Sequence, residues 1–89
     1  MLANELKSLM LNAKEHNMQE NINYVKKILT KCAKRGQDFG DVFIGPYAVE
    51  YGFKYIPDTE EYINPIIQHF TQEGLEVVHT GRALRFIWK

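Results

Sequence analysis

Two apolar stripes of helical period mark the first third of the chain. The first predicts an amphipathic helix over residues 3–14. Its members are Leu2, Leu6, Leu9 and Ala13. The second predicts a helix that ends at Gly36, a residue suited to the position after a helix C-terminus. Its members are Ile22, Val25, Ile28, Leu29, Cys32 and Ala33. Because His16 and Asn17 separate the stripes, we expect two antiparallel helices.

The next segment loses the helical period and is rich in β-branched and aromatic residues. Apolar side chains alternate over residues 41–44 as far as Gly45 and Pro46, which predicts a short strand. The residues that follow fit a helical turn near 48–51 and a short strand at 53–56, and both interpretations stay open.

A third helix is predicted near residue 58. Asp58 and Glu61 have the spacing of a capping box. Pro65 leaves the start of this helix open, because a proline inside a helix costs about 3 kcal/mol. At the first helical position proline is favoured, and Asn64 would then be the cap. Gly74 ends either version.

The C-terminal residues predict a β-hairpin. Residues 75–79 and 82–88 have strand composition and flank a turn at residues 80–81. Pairing about that turn places Glu76 opposite Arg85. The sequence therefore predicts one small α+β domain over residues 1–89. It would hold two N-terminal helices, a third helix, and an antiparallel sheet of three or four strands.

The charges cancel in sum but are sorted along the chain. Eleven basic and eleven acidic side chains give a formal net charge of zero. Residues 1–36 hold seven bases and three acids, residues 37–76 hold one base and eight acids, and residues 77–89 hold three bases. Zero net charge argues against a general nucleic-acid binder. Sorted charge predicts surface patches of opposite sign that select partners.

Little in the sequence points to catalysis. The three histidines, His16, His69 and His79, lack the spacing of metal ligands. Cys32 lies on the apolar stripe, where a buried structural thiol is expected rather than a nucleophile. The acids near residue 60 suit a helix N-terminus. We therefore expect no enzymatic activity, no cofactor and no metal.

One cysteine, no leader and no apolar run of about 20 residues favour a cytoplasmic protein without a membrane span. The expected oligomeric state is a monomer or a weak homodimer. Pairing through Val78 and Ile87, or through an exposed sheet edge, would produce the dimer.

The first candidate binding surface is acidic and aromatic. Tyrosine offers a large contact area at low entropic cost and is enriched in interfaces, and the interleaved acids would dock a basic partner. Filling the core is the alternative role for two or three of the aromatic residues in this part of the chain. The candidate residues are Tyr47, Glu50, Tyr51, Tyr55, Asp58, Glu60 and Glu61.

The second candidate surface is the lysine-rich face of the second predicted helix. It would bind the phosphates of a nucleic acid, although a solvated helix face is the more common role of such residues. The candidate residues are Lys26, Lys27, Lys31, Lys34 and Arg35, joined by Arg82 and Arg85.

A helix that ends at Gly74 and Leu75, with Val77 next in the hairpin and Ile87-Trp88 near its end, resembles many small tailed-bacteriophage proteins of the host-takeover type. Such proteins often carry a serine between the isoleucine and the tryptophan, which this chain lacks. The resemblance implies a protein that binds and modulates or inhibits a host protein in the host cytoplasm. It transfers no functional residue.

Overall fold

A single 33-residue helix, α1 (Leu2–Lys34), forms the first third of the protein. The expected antiparallel pair is therefore wrong, because the helix continues through His16 and Asn17. Neither residue breaks a helix as glycine or proline does. The Nε2 atom of His16 also lies 3.0 Å from Oε1 of Glu20, one turn further on. His16 and Asn17 therefore interrupt the apolar stripe without ending the helix.

The computed structural model describes all of residues 1–89. Five elements follow α1: β1 (Phe39–Phe43), α2 (Pro46–Glu50), α3 (Glu60–Gln72), β2 (Glu76–His79) and β3 (Ala83–Ile87). Three helices and one three-stranded antiparallel sheet confirm the predicted α+β class. No helix combines the length and the apolarity that crossing a bilayer requires.

The strand order in the sheet is β1-β3-β2, so β3 is central and β1 is an edge strand. Arg85 of β3 lies opposite Asp41 on one side and Val78 on the other. The expected pairing of Glu76 with Arg85 is therefore wrong, and Glu76 lies opposite Ile87. The hairpin register differs by two residues from the prediction, which leaves each side chain on its expected face.

The position of the hairpin turn explains this difference. Thr80 N–H donates to Ala83 O over 2.9 Å, so the turn residues are Gly81 and Arg82. The Thr80 hydroxyl Oγ1 accepts a hydrogen bond of 3.2 Å from Ala83 N–H. Gly81 has φ of 88° and stands first in the turn, a position that favours glycine in tight hairpins.

Of the two elements considered for the segment after Gly45, the helical turn is present as α2. Residues 53–56 form no strand. Their backbone groups find partners other than a neighbouring strand. Phe53 N–H donates to Ala48 O over 2.7 Å, and Lys54 N–H donates to the Tyr24 hydroxyl over 2.9 Å.

Helix α3 contains Pro65 in its interior, which answers the question of where the helix begins. The residue before the helix is Thr59, and Asp58 lies instead against Gly45. The proline cost of about 3 kcal/mol is offset by apolar burial, at about 1.5–3 kcal/mol for each large side chain. The buried residues of α3 are Ile63, Ile66 and Phe70.

The core lies between the C-terminal half of α1, α3 and one face of the sheet. Gly40 of β1 allows α1 to approach the sheet closely. A Cβ at this position would lie 2.9 Å from Leu29 Cδ2 and 3.2 Å from Cys32 Sγ. Cys32 is half-buried against this glycine. The absence of a side chain at Gly40 therefore determines how closely α1 packs against the sheet.

The N-terminal half of α1 extends beyond the core, and the molecule measures 53 × 28 × 20 Å. Residues 1–17 are all exposed, including Leu2 at 66% and Leu9 at 65%. An ion pair of 2.8 Å between Lys14 Nζ and Glu61 Oε1 joins this half to α3.

Replacing Gly40 with valine will destabilise the protein by about 1–3 kcal/mol, because the added atoms overlap Leu29 and Cys32 in a packed core. Urea unfolding monitored by circular dichroism measures the loss. Gln37→Val introduces the same residue at an exposed position outside the core and should change the stability by less than about 0.5 kcal/mol. Equal stability of Gly40→Val and the unchanged protein would contradict the close packing described above.

Candidate functional site: a basic and aromatic groove along β1

The outer edge of β1 carries backbone groups that no other part of the protein binds. Ile44 N–H donates to Arg82 O over 3.0 Å, and Trp88 N–H donates to Asp38 O over 3.0 Å. The backbone N–H and C=O groups of the even-numbered residues in this segment therefore point toward β3. Because strand residues alternate in direction, the N–H and C=O groups of the odd-numbered residues face outward. Those residues are Phe39, Asp41 and Phe43.

A groove of about 620 Å³ lies along this free edge. Its walls are the C-terminal half of α1, residues 39–41 of β1, and residues 51–53 after α2. Basic and aromatic side chains make up more than half of its lining. These side chains are Lys27, Lys31, Arg35, Tyr24, Phe39, Tyr51 and Phe53.

Three cations form one row on the α1 wall. Lys27, Lys31 and Arg35 follow each other at intervals of four residues, so they lie about 6 Å apart along the helix. The protein contains four side-chain ion pairs, and none involves these three residues. The three charges therefore contribute to no ion pair within the protein and remain available to a ligand.

The opposite wall is made rigid by aromatic contacts. The Phe43 ring stacks on Tyr51 with centroids 4.5 Å apart and lies 5.2 Å from the Phe53 ring. The hydrogen bond from Lys54 N–H to the Tyr24 hydroxyl ties the same segment to α1. The groove is thus formed before any ligand arrives.

The single acid in the groove is already neutralised. Arg85 donates Nε–H to Asp41 Oδ1 over 2.8 Å and Nη2–H to Oδ2 over 3.0 Å. These hydrogen bonds, together with the attraction between the two charges, raise the pKa of Arg85 above its ordinary value. The guanidinium also lies 4.9 Å from the centroid of the Phe39 ring. The groove consequently presents a net positive charge.

The residues of the expected acidic and aromatic surface lie in several different environments. Tyr51 lines the groove, whereas the Tyr47 ring lies 5.4 Å from the Arg82 guanidinium. Tyr55 lines a separate cavity beside Glu20 of α1.

The acids of that surface are also in different settings. Asp58 contacts Gly45, and Glu61 forms the ion pair with Lys14. Glu50 and Glu60 are exposed, and neither forms an ion pair.

The expected nucleic-acid residues are divided in a similar way. Lys27, Lys31 and Arg35 line the groove. Lys26 lines a second groove of about 420 Å³ together with Phe70 and Trp88.

The remaining members of that set lie elsewhere. Lys34 is exposed at the last turn of α1 and lines no cavity. Arg82 is in the hairpin turn near Tyr47, and Arg85 is committed to Asp41.

Sequence reasoning missed Tyr24, Phe39 and Phe53 as groove residues, and it missed the open edge of β1. The four-residue spacing of Lys27, Lys31 and Arg35 was a signal for a shared helix face. No comparable signal in the sequence indicates which strand lies at a sheet edge.

The structure brings no three His, Cys, Asp or Glu side chains into a group that could hold a metal ion. No protein-family model matches the chain, and neither the curated proteins nor the solved structures include a match. Function must therefore be inferred from the geometry of the groove.

The Glu61→Gln variant will have a lower pKa at Lys14. The hydrogen bond that Lys14 donates to Glu61, followed by the charge of Glu61, raises the pKa of Lys14 above the ordinary lysine value. The resulting stabilisation is complete below that ordinary value and is lost as pH rises through the raised pKa. Titration of the Lys14 Cε resonance by NMR measures the change. An unaltered titration in Glu61→Gln would show that the ion pair is absent in solution.

Proposed function

We propose that the protein is a non-enzymatic binding protein whose partner presents negative charge to the groove along β1. The observation that supports this proposal is the row formed by Lys27, Lys31 and Arg35 beside an open strand edge. None of these three cations forms an ion pair within the protein. An acidic partner would supply the missing counter-charges.

The walls of the groove suit protein recognition. Tyrosine and arginine are the residues most often found at the centres of binding energy in interfaces. Tyr24, Tyr51 and Arg35 lie around one cavity, and the stacked ring of Phe43 holds Tyr51 in place. A pre-formed site of this kind loses little entropy when it binds.

The partner is a host protein if the resemblance to small phage proteins holds, and that origin remains a prediction. The acidic and aromatic surface also remains a prediction. Glu50, Asp58 and Glu60 are its exposed acids that form no ion pair, so a basic partner would engage them first.

A nucleic acid is the second candidate partner. Unpaired cations beside aromatic rings are also the features that bind single strands, through phosphate contacts and base stacking. The zero net charge of the whole chain weakens this alternative, because acids elsewhere on the surface would repel a long polyanion.

Reversal of the groove charges in Lys27→Glu/Lys31→Glu will abolish capture of the partner from nuclease-treated bacterial lysate, because it replaces two attractive contacts with two repulsive ones. Retained proteins are identified by mass spectrometry. The matched control is Lys26→Glu/Lys34→Glu, which changes the net charge equally on the same helix but outside the groove. Capture that survives the groove reversal would overturn the assignment of the site.

Charge reversal in Glu60→Lys/Glu61→Lys discriminates between the two protein-binding surfaces. If the groove is the site, this variant will capture the same protein as the unchanged chain. Loss of capture in this variant alone would move the binding site to the acidic surface.

Oligonucleotides test the second candidate function. A short single strand or duplex should give no mobility shift at about 50 mM salt if the partner is a protein. A shift that falls steeply with salt, and that Lys27→Glu/Lys31→Glu removes, would assign the groove to nucleic acid instead.

A further inference from the structure

We propose that the groove binds an extended acidic peptide, which adds to the free edge of β1 as a fourth strand of the sheet. This inference rests on the proposed function and adds to it the conformation and the chemistry of the partner. Strand addition obtains its affinity from backbone hydrogen bonds and its specificity from alternate side chains.

The backbone of β1 supplies the hydrogen-bonding edge. Phe39, Asp41 and Phe43 each direct one N–H and one C=O away from β3, and no protein group binds them. These three residues span four residue steps, or about 13 Å of strand. The groove is lined by residues 39–41 of β1, so a bound peptide would pair first with the outward groups of Phe39 and Asp41.

The spacing of the cations matches the spacing of side chains on such a peptide. Lys27, Lys31 and Arg35 lie about 6 Å apart along α1. Alternate residues of an extended strand lie about 6.8 Å apart on one face. Acids at every second position of the peptide would thus have nearly the spacing of the cations, while the residues between them would face away from α1.

A second copy of the chain fits this edge poorly. If β1 paired with β1 of another copy in an antiparallel manner about its centre, Asp41 would lie opposite its own equivalent. Directly opposed residues of antiparallel strands point to the same face, so the rows formed by Lys27, Lys31 and Arg35 on the two copies would also lie on the same face of the joined sheet. An acidic peptide avoids this accumulation of like charge.

The other edge of the sheet lacks the matching features. Glu76 and His79 lie on β2, and no cavity lined by a row of cations borders that strand. A nucleic acid would use the cations of the β1 groove but not the alternating donors and acceptors of the strand. The open edge therefore favours a polypeptide.

The probe is an acetylated and amidated octapeptide with alternating Glu and Val, labelled for fluorescence anisotropy. The 89-residue protein should bind it, and Lys27→Glu/Lys31→Glu should weaken binding by at least about tenfold, a loss of about 1.4 kcal/mol. A peptide with Lys in place of Glu should not bind. Equal binding of the two peptides would overturn the acidic chemistry of the ligand.

Methylation of the peptide nitrogens tests strand addition itself. Only alternate residues of an added strand direct their N–H groups toward β1. N-methylation of that alternate set should weaken binding by at least about tenfold, whereas methylation of the other set should have little effect. Equal effects of the two sets would overturn strand addition and leave the binding function of the groove intact.

The matching variants of the protein are Asp41→Pro and Asp41→Ala. Both lose the ion pair with Arg85, but only Asp41→Pro also loses the outward N–H, at an edge position that tolerates proline. Asp41→Pro should bind the peptide at least about tenfold more weakly than Asp41→Ala. Circular dichroism checks that both variants are folded. If Asp41→Pro does not fold, the methylated peptides test strand addition independently.

The failure of the inference and the failure of the proposed function give different results. If the octapeptide does not bind but groove reversal still abolishes capture from lysate, the groove has a different ligand and strand addition is overturned. If a single-stranded thymidine oligonucleotide binds and the octapeptide does not, the groove is a nucleic-acid site. If Lys27→Glu/Lys31→Glu changes neither capture from lysate nor binding of the octapeptide, both the proposed function and the inference fail.

Discussion

The close approach of α1 to β1 at Gly40 determines the arrangement of the rest of the molecule. Without a side chain at this position, Leu29 and Cys32 pack directly on the strand. The helix then covers one face of the sheet and closes the core with α3. The same approach brings the row at Lys27 and Lys31 beside the free edge of β1, so one packing contact creates both the core and the groove wall.

Charge pairing separates structural residues from residues that remain available for binding. Lys14 and Arg85 form hydrogen-bonded ion pairs between elements that are distant in the sequence. Exposed pairs of this kind contribute little to stability, but each restricts where its two elements can lie. The cations of the groove make no such pairs, although they belong to the same basic segment of the chain as Lys14. The cations that are sorted along the sequence therefore divide in three dimensions into paired cations that join distant elements and unpaired cations that line the groove.

The sequence was sufficient for the α+β class, the C-terminal hairpin and the existence of α3, because these depend on local periodicity and turn residues. It was insufficient at His16 and Asn17, where a polar interruption of the apolar stripe looked like a break in the backbone. Strand order depends on contacts between distant segments such as β1 and β3, so the open edge was not predictable. The sequence pattern places Lys27, Lys31 and Arg35 on one predicted helix face, but it does not predict that Phe39 and Phe53 lie beside them.

Helix α1 combines two kinds of stability in one continuous element. Its C-terminal half is held by the core, whereas residues 2–17 depend mainly on their own backbone hydrogen bonds. A helical segment of about 16 residues is only marginally stable by itself in water. Amide hydrogen exchange will therefore be graded along the helix, fast near Leu2 through local fraying and slow near Val25, where exchange requires global opening. The part of α1 that resists exchange is thus the part that packs in the core, which begins near Ile22.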